Sequence, residues 1–242
     1  MSEPVAHNDT EVRISPWRAL LRVLTSPGET FRSLGSKPPV LAPYLIQSLV
    51  GVVVIALTFS FVTKVALDQA SAAMAAQSAM TAEDMATMET VMRWAGMVGL
   101  VVQEVVSPWV TGLVLALVAI FFGQFQGGGV PFAAYMGMIG YARMPLVLSR
   151  LLTAVFIAAT GQALDLSAAA FLPAGASPAL TAALQMLNPF GIWYYVLLAI
   201  GFAALFRREP RRGWAFPVTL FVLGTVISAA LGGASASLTT LN

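Results

Sequence analysis

From Leu41 to Val62 the chain carries no charged side chain. A helix needs about 20 such residues to cross the ~30 Å hydrocarbon core of a bilayer, so this one stretch already asks for lipid as its solvent. Four more apolar stretches follow, over residues 94–122, 132–159, 190–206 and 214–232. Composition agrees: 58% of the residues are hydrophobic and 10% charged, against roughly 25% charged in a soluble domain. The expected fold is an all-α membrane protein, a bundle of five transmembrane helices with helical extensions outside the membrane. The five-span domain covers residues 39–235, between an amino-terminal segment, 1–38, and a short tail, 236–242.

The amino-terminal segment holds no uninterrupted apolar run, so it does not read as a secretory signal and the first span is expected to be an uncleaved anchor. Ser15-Pro16-Trp17 reads as a helix start, with proline at the first helical position. Ile14, Trp17, Leu20, Leu21 and Leu24 share one side of that helix, opposite Arg18 and Arg22, the pattern of a short amphipathic helix lying on the membrane face. Ser26-Pro27-Gly28-Glu29 repeats the start, with Glu29 placed for a capping box and Phe31 and Leu34 placed to dip into the interface. Further on, Thr81 can cap a helix in which Met85, Met88 and Met92 make an apolar stripe, a packing feature with no His or Cys beside it.

Several chemistries are excluded by what the chain lacks. Cysteine is absent and His7 is the single histidine, so neither thiolate chemistry nor the Cys/His clusters of metal sites can be built. No metal or cofactor is expected. Gly127-Gly128-Gly129 is a flexible turn, because no Lys or Ser/Thr follows in phosphate-binding order. Thirteen Lys and Arg against eleven Asp and Glu leave a surplus of +2, too small to imply a nucleic-acid partner. The spans offer one acid, Glu104, which is too little for an intramembrane hydrolase, and an enzyme is not expected.

Charge placement gives an orientation. Five Lys and Arg lie in residues 1–38 and four in residues 207–213, whereas Lys64 and Arg93 are alone on the opposite face. The positive-inside bias puts the amino terminus in the cytoplasm and, after five crossings, the carboxyl terminus outside. Arg207, Arg208, Arg211 and Arg212 then form a cytoplasmic basic cluster that either sets topology or meets anionic lipid, each residue being worth ~1 kcal/mol at such a surface.

Spans two and three are joined by a short turn, and the resulting antiparallel register sets Glu104 opposite Arg150 and Pro108 opposite Pro145. An unpaired charge at that depth costs ~3 kcal/mol or more, so Glu104 and Arg150 are expected to pair. Two facing helix breaks would leave backbone carbonyls free to line a polar zone. Arg143 falls near mid-membrane beside Thr111 with no acid at hand, and with Tyr141 and Pro145 it forms a candidate ligand or lipid site. In span five, Gly224, Ser228 and Gly232 recur every fourth residue, the small-residue stripe that lets helices approach closely, within the chain or between two copies.

Three segments, in order, carry a resemblance: Leu24-x-x-Pro27-x-x-Thr30-Phe31, Gly140-Tyr141-x-x-x-Pro145, and Asn188-Pro189-Phe190-x-x-Trp193. With the five-span layout, the chain resembles the YIP-one family of membrane proteins, in its bacterial form, a family named for interaction with Ypt/Rab GTPases. The resemblance implies five transmembrane helices, a cytosolic amino terminus and association with copies of itself or other membrane proteins. Eukaryotic members carry Asp-Leu-Tyr-Gly-Pro before the first span, where this chain has Ser36-Lys37-Pro38-Pro39-Val40-Leu41-Ala42-Pro43, so GTPase binding is not carried over. The functional expectation is an inner-membrane scaffold or accessory subunit acting through protein or lipid contacts. The rival is a small-molecule or ion transporter using the polar zone between spans two and three.

Overall fold

The computed structural model describes residues 14–35, 38–75, 82–173 and 175–239, and among these every regular element is helical. The elements are α1 (Pro16–Thr25), α2 (Pro27–Leu34), α3 (Leu41–Ala75), α4 (Ala82–Gln124), α5 (Phe132–Ala142), α6 (Met144–Thr160), α7 (Pro178–Gln185), α8 (Pro189–Leu205) and α9 (Ala215–Thr239), with 3-10 turns at Ala168–Phe171 and Pro210–Gly213. Among the described residues, four stretches are long and apolar enough to cross a membrane: Leu41–Asp68, Trp94–Gln124, Phe132–Thr160 and Ala215–Gly232. α7 and α8, bent by 52° at their junction, make a fifth if the pair counts as one span. At most 33% of each of the four apolar windows is buried within the chain, so most of their side chains face outward, and only lipid is a comfortable neighbour for that much apolar surface.

α3 and α4 are longer than a bilayer. At 1.5 Å per residue, α3's 35 residues run about 52 Å and α4's 43 about 64 Å, so both helices leave the hydrocarbon core. The turn after α4 needs its glycines: Gly127, Gly128 and Gly129 have φ of +109°, +64° and +76°, values that a side chain disfavours at three successive positions. The third span breaks at Arg143, which closes α5 and opens α6. Pro145 sits in the first turn of α6, where its missing N–H leaves no hydrogen bond unmade, so the interruption comes two residues before the proline expected to cause it.

α5 is the centre of the bundle. Every residue from Ala134 to Ala142 is buried, and the helix packs against α4, α8, α3 and α1. Its sequence is apolar on all sides, as an enclosed helix requires.

The amino-terminal helices depart from the expected picture. In α1, Ala19, Leu20 and Val23 are buried against the bundle, while Trp17 and Leu21 are 56% and 73% exposed. The apolar side is therefore split between protein and surroundings. Phe31 does not dip into an interface; it is 6% exposed and lies against Gly201 of α8. The capping box at α2 does not form, since the Ser26 side chain makes no cap bond and the Glu29 carboxylate accepts from Arg22 at 2.7 Å. A charge-assisted bond to arginine outcompetes the backbone amide. Lys37 and Thr81, and the side chains of Met85, Met88, Met92 and Arg93, lie outside the described residues.

Between α6 and α8 the chain forms the Ala168–Phe171 turn and α7. Ser177 caps α7 through a bond from Leu180 N–H at 3.3 Å, and Asn188 caps α8 through Gly191 N–H at 2.6 Å. Each is followed by proline at the first helical position, and the second of these start signals, three residues after α7 ends, explains why α7 and α8 stay separate.

Candidate functional site

One face of α3 carries the polar groups of its first half. Tyr44, Gln47, Ser48, Gly51, Ile55 and Thr58 recur at three- and four-residue intervals and are all buried. Tyr44 donates its hydroxyl proton to the Met136 carbonyl at 3.0 Å. Gln47 donates to the carbonyls of Pro43 at 2.9 Å and Gly140 at 3.3 Å, and Ser48 donates to Val105 at 2.9 Å. These bonds tie α3 to both α5 and α4. Away from water an unmet polar group costs several kcal/mol, so each is a strong constraint on how the three helices sit.

Opposite this face, α4 presents Glu104, Pro108 and Gly112 at four-residue spacing. Glu104 Oε1 and Arg150 Nη2 of α6 are 2.5 Å apart, with the side chains 16% and 40% exposed. The second carboxylate oxygen, Oε2, is buried and has no hydrogen-bond partner. It sits over Gly51, where an added Cβ would lie 2.5 Å away. At Gly112 the same device admits an aromatic ring: a Cβ there would overlap the Tyr44 phenol, which stacks on Trp109 with centroids 4.9 Å apart.

Arg143 donates from Nη1 to the Pro108 carbonyl at 3.3 Å, so the break in span three does lie against Pro108, but α4 runs through Pro108 without interruption and the second helix break expected there does not form. Tyr194, Tyr44 and Arg150 are within electrostatic reach of Arg143. The other residues grouped with it by sequence are placed differently. Tyr141 is fully buried but reaches away to α1, donating to the Pro16 carbonyl at 3.3 Å. Pro145 is buried in the first turn of α6. Thr111 is exposed on the outer side of α4 and takes no part. The polar zone thus consists of Glu104, Arg143 and Arg150 with Tyr44, Gln47, Ser48, Gly51 and Tyr194, a set in which the α3 face and Tyr194 were missed. The signal for the α3 face was available: nearly all the polar and small residues of span one's first half fall on one helical stripe.

The basic cluster also divides. Arg211 pairs with Glu209 at 2.5 Å, and Arg212 is exposed. Arg207 and Arg208 line a cavity together with residues of α2. Gly224 lies against Met186, and Gly232 lies against Pro178 and Ala182 of α7, with Ser228 half-buried between them. The small-residue stripe therefore seats α7 on α9 inside one chain, and those two glycines are not open to a second copy.

Comparison with known proteins agrees with this architecture. The Yip1 domain matches residues 21–231. Membrane protein YknW of Bacillus subtilis is 26% identical over 216 residues, covering 87% of this chain and 88% of that protein. No solved structure matches the chain. With a match extending from α1 almost to the end of α9, this multi-pass membrane protein belongs to the Yip1 domain family.

Proposed function

We propose that the protein is a scaffold or accessory subunit of the bacterial inner membrane, acting through contacts with lipid and other membrane proteins and catalysing no reaction of its own. The observation that carries this reading is how the polar zone spends its hydrogen bonds. Tyr44, Gln47, Ser48, Tyr141 and Arg143 each donate to a backbone carbonyl of a different helix, which is how side chains clip a bundle together. Glu104 and Arg150 join α4 to α6 in the same manner. In the proposed orientation the amino terminus and the loop between α8 and α9 lie in the cytoplasm and the carboxyl terminus outside, as the lysine and arginine bias favours. GTPase binding forms no part of the proposal.

One observation supports the rival transport reading: Glu104 Oε2 is buried without a partner, and a lone carboxylate oxygen within the membrane is a place where a proton or cation could bind. Proteoliposomes separate the two. A scaffold gives no proton or solute flux above protein-free vesicles, and Glu104→Gln changes nothing in that assay. A flux carried by the wild type and lost in a folded Glu104→Gln protein would replace the scaffold with a transporter.

A further inference from the structure

A cavity of about 460 Å³ opens between α2 and the carboxyl end of α8, lined by Gly28, Arg32, Ile200, Ala204, Arg207, Arg208 and Glu209. Its size is within the range of small-ligand sites. We propose that it is a binding site for the phosphate headgroup of an anionic phospholipid, with Arg32, Arg207 and Arg208 as its ligands. The proposal deepens the lipid-contact part of the function proposed above and rests on that reading only in placing this end of the bundle at a lipid headgroup layer.

The walls are built by folding. Phe31, buried against Gly201 beside Met138, docks α2 onto α8 and so brings Arg32 to residues far along the chain. Arg32 is held by a bond from its Nε to the Gly28 carbonyl at 3.1 Å, which leaves both Nη groups for a ligand. Arg207 has φ of +51°, a left-handed conformation that is rare for a side-chain-bearing residue. The turn that imposes it is fastened by Arg207 N–H to Ala204 and Arg208 N–H to Ala203. Glycine would suit such a turn better, and arginine there points to a role for its charge.

The charge balance calls for an anion. Among the described residues Glu209 is the lone acid in the wall, and Arg211, which does not line the cavity, already holds it at 2.5 Å. Three guanidinium groups around one cavity repel each other unless a phosphate joins them, and guanidinium matches phosphate oxygens in bidentate fashion. Ile200 and Ala204 give the wall an apolar part suited to the glycerol and first acyl carbons. Trp214, 42% exposed just past the loop, is the residue type that settles at headgroup level. Lipid is favoured over a free anion by those apolar neighbours.

Native mass spectrometry of the purified full-length protein in detergent, titrated with phosphatidylglycerol or phosphatidylcholine, reads the site directly. The wild type should retain a first phosphatidylglycerol several-fold more tightly than phosphatidylcholine. Arg32→Gln and Arg208→Gln should each weaken it about three- to tenfold, whereas Arg18→Gln and Arg212→Gln, outside the cavity, should not. Arg207→Gly should lower lipid retention without lowering the melting temperature, a combination that a folding defect cannot produce. Equal retention of the two lipids, or equal losses from cavity and control substitutions, would overturn the proposal. Displacement of the lipid by millimolar inorganic phosphate would reassign the site to free phosphate. The measurement needs no protein partner, so a failed scaffold reading would leave it standing, and its own failure would leave that reading to protein contacts alone.

Discussion

At Gly51 a single hydrogen atom in place of a side chain decides whether the ion pair exists. The Glu104 carboxylate fills the space a Cβ would take, so Gly51→Val should push Glu104 off Arg150 and destabilise the protein by about 1–3 kcal/mol, the usual cost of overpacking. Gly99→Ala on α4, where an added Cβ meets nothing within 4 Å, should leave the melting temperature in detergent unchanged or raise it slightly, because alanine favours the helix. Equal melting temperatures for Gly51→Val and the wild type would show that the carboxylate does not depend on this gap. Glu104 and Arg150 were legible in the sequence because charges are scarce in the spans and a short turn sets the register between two of them. Gly51 and Gly112 were not, since a glycine among apolar residues carries no mark of the side chain that will lie over it. Thr111 was misjudged for a geometric reason. Register gives depth but not direction, and Thr111, one residue before Gly112, is rotated by about 100° from the inward stripe of Glu104, Pro108 and Gly112.

Among the elements, α1 shows what amphipathic spacing can and cannot say. The apolar side was visible from the order of residues, but half of it faces protein and half faces outward, and no periodicity separates two apolar neighbourhoods. Leu20 and Leu21 are consecutive, 7% and 73% exposed. Leu20→Asp should therefore destabilise the bundle by several kcal/mol through an unpaired buried charge, while Leu21→Asp should leave its melting temperature in detergent nearly unchanged and instead reduce quenching of Trp17 by brominated lipid, read as the difference from a Trp17→Phe protein. Similar loss of stability in both variants would mean that α1 is enclosed on both sides. α5 posed the opposite difficulty. Its unbroken apolar composition is shared by helices that face lipid, so the sequence marked it as part of a span and could not mark it as the centre of the molecule.

For the molecule as a whole, the long uncharged runs made the helical membrane fold plain, and the crossing count turns on the bent α7–α8 pair. Counted as one span it gives five crossings, and an alkaline phosphatase fusion after Asn242 should be active while one replacing Met1 is inactive. Inactivity of both fusions would put both ends in the cytoplasm and reverse the orientation of α9, whereas activity of both would put both ends outside and reverse the three spans before it. The docking of α1 and α2 has a consequence for how the protein is made. These helices are synthesised before the surfaces they pack on: the hydrogen bond from Tyr141 to Pro16 joins groups 125 residues apart, and Gly201, against which Phe31 rests, comes later still. At a synthesis rate of about 5–20 residues per second, Leu20, Val23 and Phe31 wait ~6–25 s or longer for the surfaces that will cover them. During that interval the nascent amino terminus needs a temporary apolar host, and the bilayer surface beside the insertion machinery is the nearest one.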